Sequence, residues 1–266
     1  MNKWGKLKSG EPVRLRDIDP AATPDFHGSK EDAEKKRPKM RTALEDLQEL
    51  MWAEHRRRLL IVLQGMDTSG KDGVVRYLMD GFNAASARAV SFKKPTTPEV
   101  EHDFLWRIHA LVPGDGEIVI FNRSQYEDVL IVRVHDLVPE AVWRKRYQQI
   151  RDFERMLSES GTKILKFFLH ISRDEQKERL QARVADPRKR WKFNHGDLDE
   201  RKLWNEYTKA YEDALEKTST AEAPWYVVPS DRKWYRNYVI GSVVIETMKK
   251  FGMSYPEIEL SDVVIE

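Results

Sequence analysis

One segment combines glycine, lysine and carboxylate at a spacing with chemical meaning: Gly65-Met66-Asp67-Thr68-Ser69-Gly70-Lys71-Asp72. Gly65 and Gly70 let the backbone curl so that the N–H groups around Thr68 and Ser69 point inward. Lys71 adds a full positive charge, and the helix it opens adds its positive end. A polyanion is the natural guest. The spacing matches the G-x-x-x-x-G-K phosphate-binding loop, and two positions depart from its usual form. Asp72 stands where a Ser or Thr hydroxyl would hold Mg²⁺, and Asp67 places a carboxylate inside an anion cradle. That carboxylate makes sense with a divalent cation between it and the phosphate, so Asp67 is expected to be a metal ligand, directly or through water.

A second cluster reads Asn122-Arg123-Ser124-Gln125-Tyr126-Glu127-Asp128 at the end of an apolar run. Asn122 can coordinate a metal or orient its water without adding charge. The planar guanidinium of Arg123 suits two-point contact with a phosphoryl oxygen pair. Glu127 and Asp128 are expected one turn into the next helix, near its positive end, where Glu127 could bind metal or activate an acceptor. Asp103 and Arg107 are four apart on a predicted helix; they form either a surface pair or part of an acceptor pocket. With Asp128 and Arg133 they make the expected acceptor-binding set.

A third cluster is basic. Arg179 and Arg183 share a helix face, and Pro187 ends that helix. Residues 183–192 carry Arg183, Arg188, Lys189, Arg190 and Lys192 against Asp186 alone. The segment 183–198 reads as a flap closing over phosphates, with Arg183, Lys189 and Lys192 as ligands and Arg179 gathering transition-state charge. Closure would exclude water.

The elements positioning these groups follow from apolar patterning. Runs at 59–63, 87–92, 117–121, 163–171 and 225–228 lack polar alternation, as strands buried on both faces do. Helical patterns at 42–57, 71–81, 98–112, 126–135, 139–160, 174–185, 199–217 and 232–251 separate them. The alternation predicts an α/β fold: a five-stranded parallel sheet covered on both faces. Residues 1–38, with four prolines and the charge run 30–37, read as an N-terminal arm on a single domain spanning 39–266. The chain of 266 residues has 46 basic and 44 acidic side chains and no cysteine. Disulfides, thiolate metal sites and cysteine nucleophiles are thereby excluded. The balanced charge argues against a nucleic-acid coat, and no apolar stretch suggests a membrane span, so a cytoplasmic protein is expected.

Several motifs together resemble polyphosphate kinase family 2: Gly65-x-Asp67-x-x-Gly70-Lys71-Asp72-Gly73, Asp103-Phe104-Leu105-Trp106-Arg107, Phe121-Asn122-Arg123-Ser124-x-Tyr126-Glu127-Asp128, Lys189-Arg190-Trp191-Lys192-Phe193, Ala223-Pro224-Trp225-Tyr226 and Trp234-Tyr235-Arg236-Asn237. The resemblance spans roughly residues 40–250. It implies a three-layer, thymidylate-kinase-like P-loop fold with a basic lid. It also implies phosphoryl transfer between inorganic polyphosphate and an adenine or guanine nucleotide, with Mg²⁺ or Mn²⁺, in a homodimer or homotetramer. Many members carry Asp where this chain has Asn122; the subgroup with Asn and Glu127 is associated with using both AMP and ADP. An ATP-dependent nucleoside monophosphate kinase would share the loop and fold. A non-catalytic polyanion-binding module would share the basic segment but leave Lys71, Asp67 and Asn122 unexplained.

Overall fold

The five apolar runs pair side by side, all parallel. The computed structural model describes residues 3–259. Its strands are β1 (Arg58–Gln64), β2 (Ala87–Ser91), β3 (Ile118–Asn122), β4 (Thr162–His170) and β5 (Trp225–Pro229), in the order β2-β3-β1-β4-β5. The central β1 pairs with β3 through Leu63↔Asn122 and with β4 through Leu63↔Phe167. The carboxyl ends of these three strands open onto one crevice, where open α/β sheets place ligands.

Ten α-helices are described: α1 (Lys30–Glu54), α2 (Lys71–Met79), α3 (Thr97–Val100), α4 (Trp106–His109), α5 (Ile131–Val134), α6 (Glu140–Glu159), α7 (Arg173–Ala185), α8 (Gly196–Lys202), α9 (Trp204–Thr218) and α10 (Lys233–Lys249). Alternate strand residues feed two cores. Leu60, Val62, Phe121 and Phe168 pack with Ile150 of α6 and Leu215 of α9. Leu59, Ile61, Leu63 and Leu169 pack with Leu44 of α1, Leu78 of α2 and Val244 of α10. Sealing on both faces explains why β1, β3, β4 and β5 lack polar alternation; the outer strand β2 is partly exposed.

Four expected boundaries change. The first helix begins at Lys30, not at 42, so the expected domain boundary at 38 falls inside it. Its start is a capping box, in which Ser29 Oγ accepts from Asp32 N–H and the Asp32 carboxylate accepts from Ser29 N–H. Pro38 lies on the exposed side of this helix, where the lost backbone bond falls on the solvent face. The helix expected over 98–112 is two short pieces, α3 and α4. The helix expected over 126–135 is a 3₁₀ turn, Gln125–Val129, followed by α5. The helix expected over 199–217 divides at Leu203 into α8 and α9.

The segment before Lys30 packs on the body. Trp4, Leu7, Leu15 and Phe26 are buried, Leu7 N–H donates to Trp225 O at 2.9 Å, and Lys6 bridges Tyr226 antiparallel. His170, at the end of β4, lies 3.0 Å from Ile18 O through Nε2. Among the described residues no helix is long and apolar enough to cross a membrane.

Candidate active site

The phosphate loop leaves β1 at Gln64 and enters α2 at Lys71. Gly65 (φ 151°) and Gly70 (φ 106°) hold angles that side chains rarely adopt, and a Cβ on Gly70 would sit 1.9 Å from Arg236 Nη1. Thr68 takes φ 64° without being glycine. Its Oγ1 and Ser69 Oγ are buried without a hydrogen-bond partner among the described residues, as expected of groups waiting for a polar guest.

Lys71 is buried, and its ammonium donates to Gly65 O at 2.6 Å and Met66 O at 3.2 Å. Burial, reinforced by the nearby Arg123 charge, lowers its pKa to about 8. Asp67, Glu127 and Asp72 act in the opposite direction. A bound polyanion would add to them and hold the lysine charged.

Arg123 follows β3 at φ 65°, a costly angle for a residue with a side chain, which aims its guanidinium back across the crevice. Its Nη2 donates to Asp67 Oδ1 at 2.7 Å. Asp67, Arg123 and Glu127 line a cavity of about 200 Å³ with Gly65, Asp197 and Tyr211. Asn122 turns elsewhere: its Nδ2 donates to Asp72 Oδ1 at 2.7 Å, so the structure pairs it with Asp72 and not with Asp67.

The turn carrying Glu127 is pinned from inside the protein. Tyr126 OH donates to Glu154 Oε1 at 2.7 Å, and Gln125 Nε2 donates to the same oxygen at 3.1 Å. Lys166 Nζ of β4 donates to Glu154 Oε2 at 2.6 Å, Tyr126 OH at 2.9 Å and Thr218 O at 2.8 Å. The Lys166 and Glu154 side chains are 0% and 2% exposed. Burial pushes the Lys166 pKa down and the Tyr126 pKa far up.

Arg179 does not face the cavity, contrary to the role expected of it. Its five N–H groups are engaged by Glu175 Oε1 (2.7 Å), Thr68 O (2.9 Å), Ser69 O (2.9 Å), Ser230 O (2.6 Å) and Asp231 O (3.1 Å). None remains for a phosphoryl oxygen, so Arg179 is a positioning residue that holds the loop from behind. Arg236 of α10 joins it, with Nη1 donating to Ser69 O at 3.2 Å; burial, then Arg179, lowers its pKa to about 9.

The basic segment keeps part of its expected character. Arg183 pairs with Asp197 at 3.4 Å, at the cavity edge. Lys189 and Arg188 both bind Asp186, at 2.9 and 3.2 Å, and hold its pKa down at about 2. The Lys192 side chain lies outside the described residues.

The four expected nucleotide contacts lie apart from the cavity. Asp103 Oδ1 accepts from Leu105 N–H in a loop, so it shares no helix face with Arg107. Arg107 is buried and donates to Lys93 O at 2.9 Å. Asp128 pairs with Arg146 at 3.0 Å, and burial raises its carboxyl pKa to about 6. Arg133 pairs with Asp213 at 2.6 Å and packs over Trp143. Lining residues absent from the sequence reading include Gln176, Glu200, Trp204, Tyr207 and Tyr211. The two tyrosines are four apart in α9, a spacing that reads equally as core.

The oxygen donors Asp67 and Glu127, beside a phosphate loop, fit a hard divalent cation. Among the described residues no three His, Asp or Glu side chains gather into a cage. Magnesium commonly takes only one or two carboxylates and fills its shell with phosphate and water, so the set suits it.

The sequence model of the family described as Polyphosphate kinase 2 matches residues 27–254. The chain belongs to that family. Two curated relatives and one solved structure resemble it over nearly their whole length. An AMP/ADP-polyphosphate phosphotransferase of Meiothermus ruber is 52% identical, with both chains covered completely. An ADP-polyphosphate phosphotransferase of Rhodopseudomonas palustris is 44% identical over 96% of this chain and 92% of its own. The solved polyphosphate kinase 2 from Arthrobacter aurescens TC1 superposes with a TM-score of 0.93 at 42% identity, covering 99% of this chain and 93% of that one.

Proposed function

We propose that the chain transfers phosphoryl groups from inorganic polyphosphate to AMP and to ADP, giving ADP and then ATP. The observation that carries this reading is the full-length likeness to a relative named for both acceptors. The polymer lies along the phosphate loop with its terminal phosphoryl between Lys71 and Arg123. An oxygen of the nucleotide's terminal phosphate attacks that phosphorus in line, and the anhydride bond to the next phosphate breaks. The polymer leaves one unit shorter, carrying the electron pair. Phosphoanhydrides are exchanged for phosphoanhydrides, so the reaction is reversible.

Most of the barrier is lowered by placement and by fixed charge. Asp67 holds Arg123 in position, so the guanidinium meets the phosphoryl oxygens pre-oriented. Lys71 meets them from the loop, and Arg183 meets them from the lid. Asp67 and Glu127 would hold Mg²⁺, with Mn²⁺ as a substitute, and the chemistry supplied there would be neutralisation of phosphate oxygens. A cytoplasmic homodimer or homotetramer accepting adenine and also guanine nucleotides completes the reading.

The test supplies AMP or ADP, long-chain polyphosphate and Mg²⁺ with no ATP. Formation of ADP and ATP from AMP supports the proposal, and a requirement for added ATP favours a nucleoside monophosphate kinase. Polyphosphate binding without transfer to any nucleotide would point to a polyanion-binding module. Asn122→Asp adds a negative charge beside Asp72 and is expected to shift the AMP-to-ADP activity ratio; an unchanged ratio removes Asn122 from acceptor choice.

A further inference from the structure

A phosphate loop binds anions only if its peptide planes face the right way. In a planar trans peptide the carbonyl of one residue and the N–H of the next point in opposite directions. Holding a carbonyl outward therefore aims the next N–H inward. Three consecutive carbonyls of this loop are held outward by α7. Gln176 Nε2 donates to Asp67 O at 3.0 Å, and Arg179 Nη1 donates to Thr68 O and Ser69 O at 2.9 Å each. The N–H groups of Thr68 and Gly70 are thereby turned toward the anion side, while Ser69 N–H closes the turn on Met66 O at 3.1 Å.

The two holders differ. Arg179 is locked by five hydrogen bonds. Gln176 depends on a partner from the return side of the lid, because its Oε1 accepts from Arg201 Nη1 at 2.8 Å. The carboxamide has one arrangement that satisfies both neighbours, with oxygen toward the arginine and nitrogen toward the carbonyl. Arg201 belongs to α8, the short helix that follows the basic segment and lends Gly196, Asp197 and Glu200 to the cavity. It also donates to Arg173 O at 2.7 Å, and Asp197 of the same helix pairs with Arg183 of α7.

We propose that Arg201, Gln176 and the Asp67 carbonyl form a relay that couples docking of α8, the lid's return helix, to the shape of the phosphate loop. With α8 docked, Arg201 fixes the Gln176 amide, the amide fixes the Asp67 peptide, and Thr68 N–H points at the donor phosphate. With α8 undocked, the amide loses its reference and the loop holds polyphosphate less well. Lid closure and tight grip then occur together, and a shortened polymer is released as the lid opens. The relay rests on the polyphosphate reading above. Arg201 acts in it as a positioning residue outside the cavity, and Gln176, at the cavity wall, acts through its hold on the Asp67 carbonyl.

The test is a double-mutant cycle of R201M, Q176L and the pair, with polyphosphate varied at saturating ADP. R201M is expected to raise KM for polyphosphate about three- to tenfold, the value of one hydrogen bond, with KM for ADP near wild type. In the Q176L background the same change should add nothing further, because the relay is already cut. An equal fold-change in both backgrounds overturns the coupling. An unchanged KM for polyphosphate in Q176L overturns the relay outright, and this variant leaves the α8 surface intact, so it decides the matter even if R201M fails to fold. Wild-type enzyme assayed in parallel reports separately on the reaction, since ATP made by it with no effect of either variant condemns the relay alone.

Discussion

Two charged regions serve the same crevice by opposite means. The Lys166–Glu154–Tyr126 cluster is wholly buried, and every distance in it lies between 2.6 and 2.9 Å. The basic segment beyond α7 is open to solvent, and Arg188 is 89% exposed although it binds Asp186. Buried charges so closely satisfied hold one geometry, here that of the turn presenting Glu127. Exposed charges hold no single geometry, but they attract a polyanion from a distance. Charge serves placement where it is dry and capture where it is wet.

The largest effect is expected where Lys166 is removed. Lys166→Met leaves Glu154 buried with its main partner gone and should cost about 3–5 kcal/mol, read by urea unfolding. Adding Glu154→Gln should recover part of that loss. Equal losses in the single and double variants would mean that the pair is not what holds the turn.

Arg183→Ala is expected to raise KM for polyphosphate about tenfold, since charge-assisted contacts to phosphate are the strong ones. The effect should shrink as salt rises, with melting temperature barely changed. Wild-type affinity would take Arg183 out of phosphate binding.

Lys71 stands between the two regions, because it is buried yet must be charged to meet phosphate. Its folded pKa of about 8 lies below the ordinary 10.5, so between those values the unfolded chain holds the extra proton. Stability should therefore rise with pH across this window while kcat/KM for polyphosphate falls. The profile of kcat should reach further into alkali, because bound phosphate restores the lysine's charge. Parallel pH trends in stability and kcat/KM would contradict this account.

The smallest change is expected at Arg188. Arg188→Ala should alter stability by less than about 0.5 kcal/mol and KM for polyphosphate by about twofold.

Much of the frame was legible because it is written in short-range pattern. The five runs became five strands, displaced by a residue or two; four are buried, while the outer strand β2 leaves Ala89 and Ser91 exposed. The loop was legible because glycine, lysine and carboxylate carry meaning at fixed spacing. Pro38 misled because a proline signals a helix end, yet on the solvent face of α1 its missing bond is tolerated. Arg179 misled for a different reason. Cationic and four residues from Arg183, it resembled a phosphate ligand, but its acceptors at Thr68 and Ser69 lie some 110 positions away in the chain. Gln176 and Arg201 were silent for the same cause, and Arg236 entered only within a motif, since a side chain that holds a distant carbonyl leaves no local signature. Tyr207 and Tyr211 sat at a spacing that core packing uses as often as a ligand wall does.

The start of the chain has one further effect. β5 is an outer strand, and an outer strand normally offers a ladder of free backbone groups on which another chain can build. Here the Leu7 N–H bond to Trp225 O and the Lys6–Tyr226 bridge occupy part of that ladder with the protein's own backbone. At Trp225 and Tyr226 the edge is therefore closed to a foreign strand.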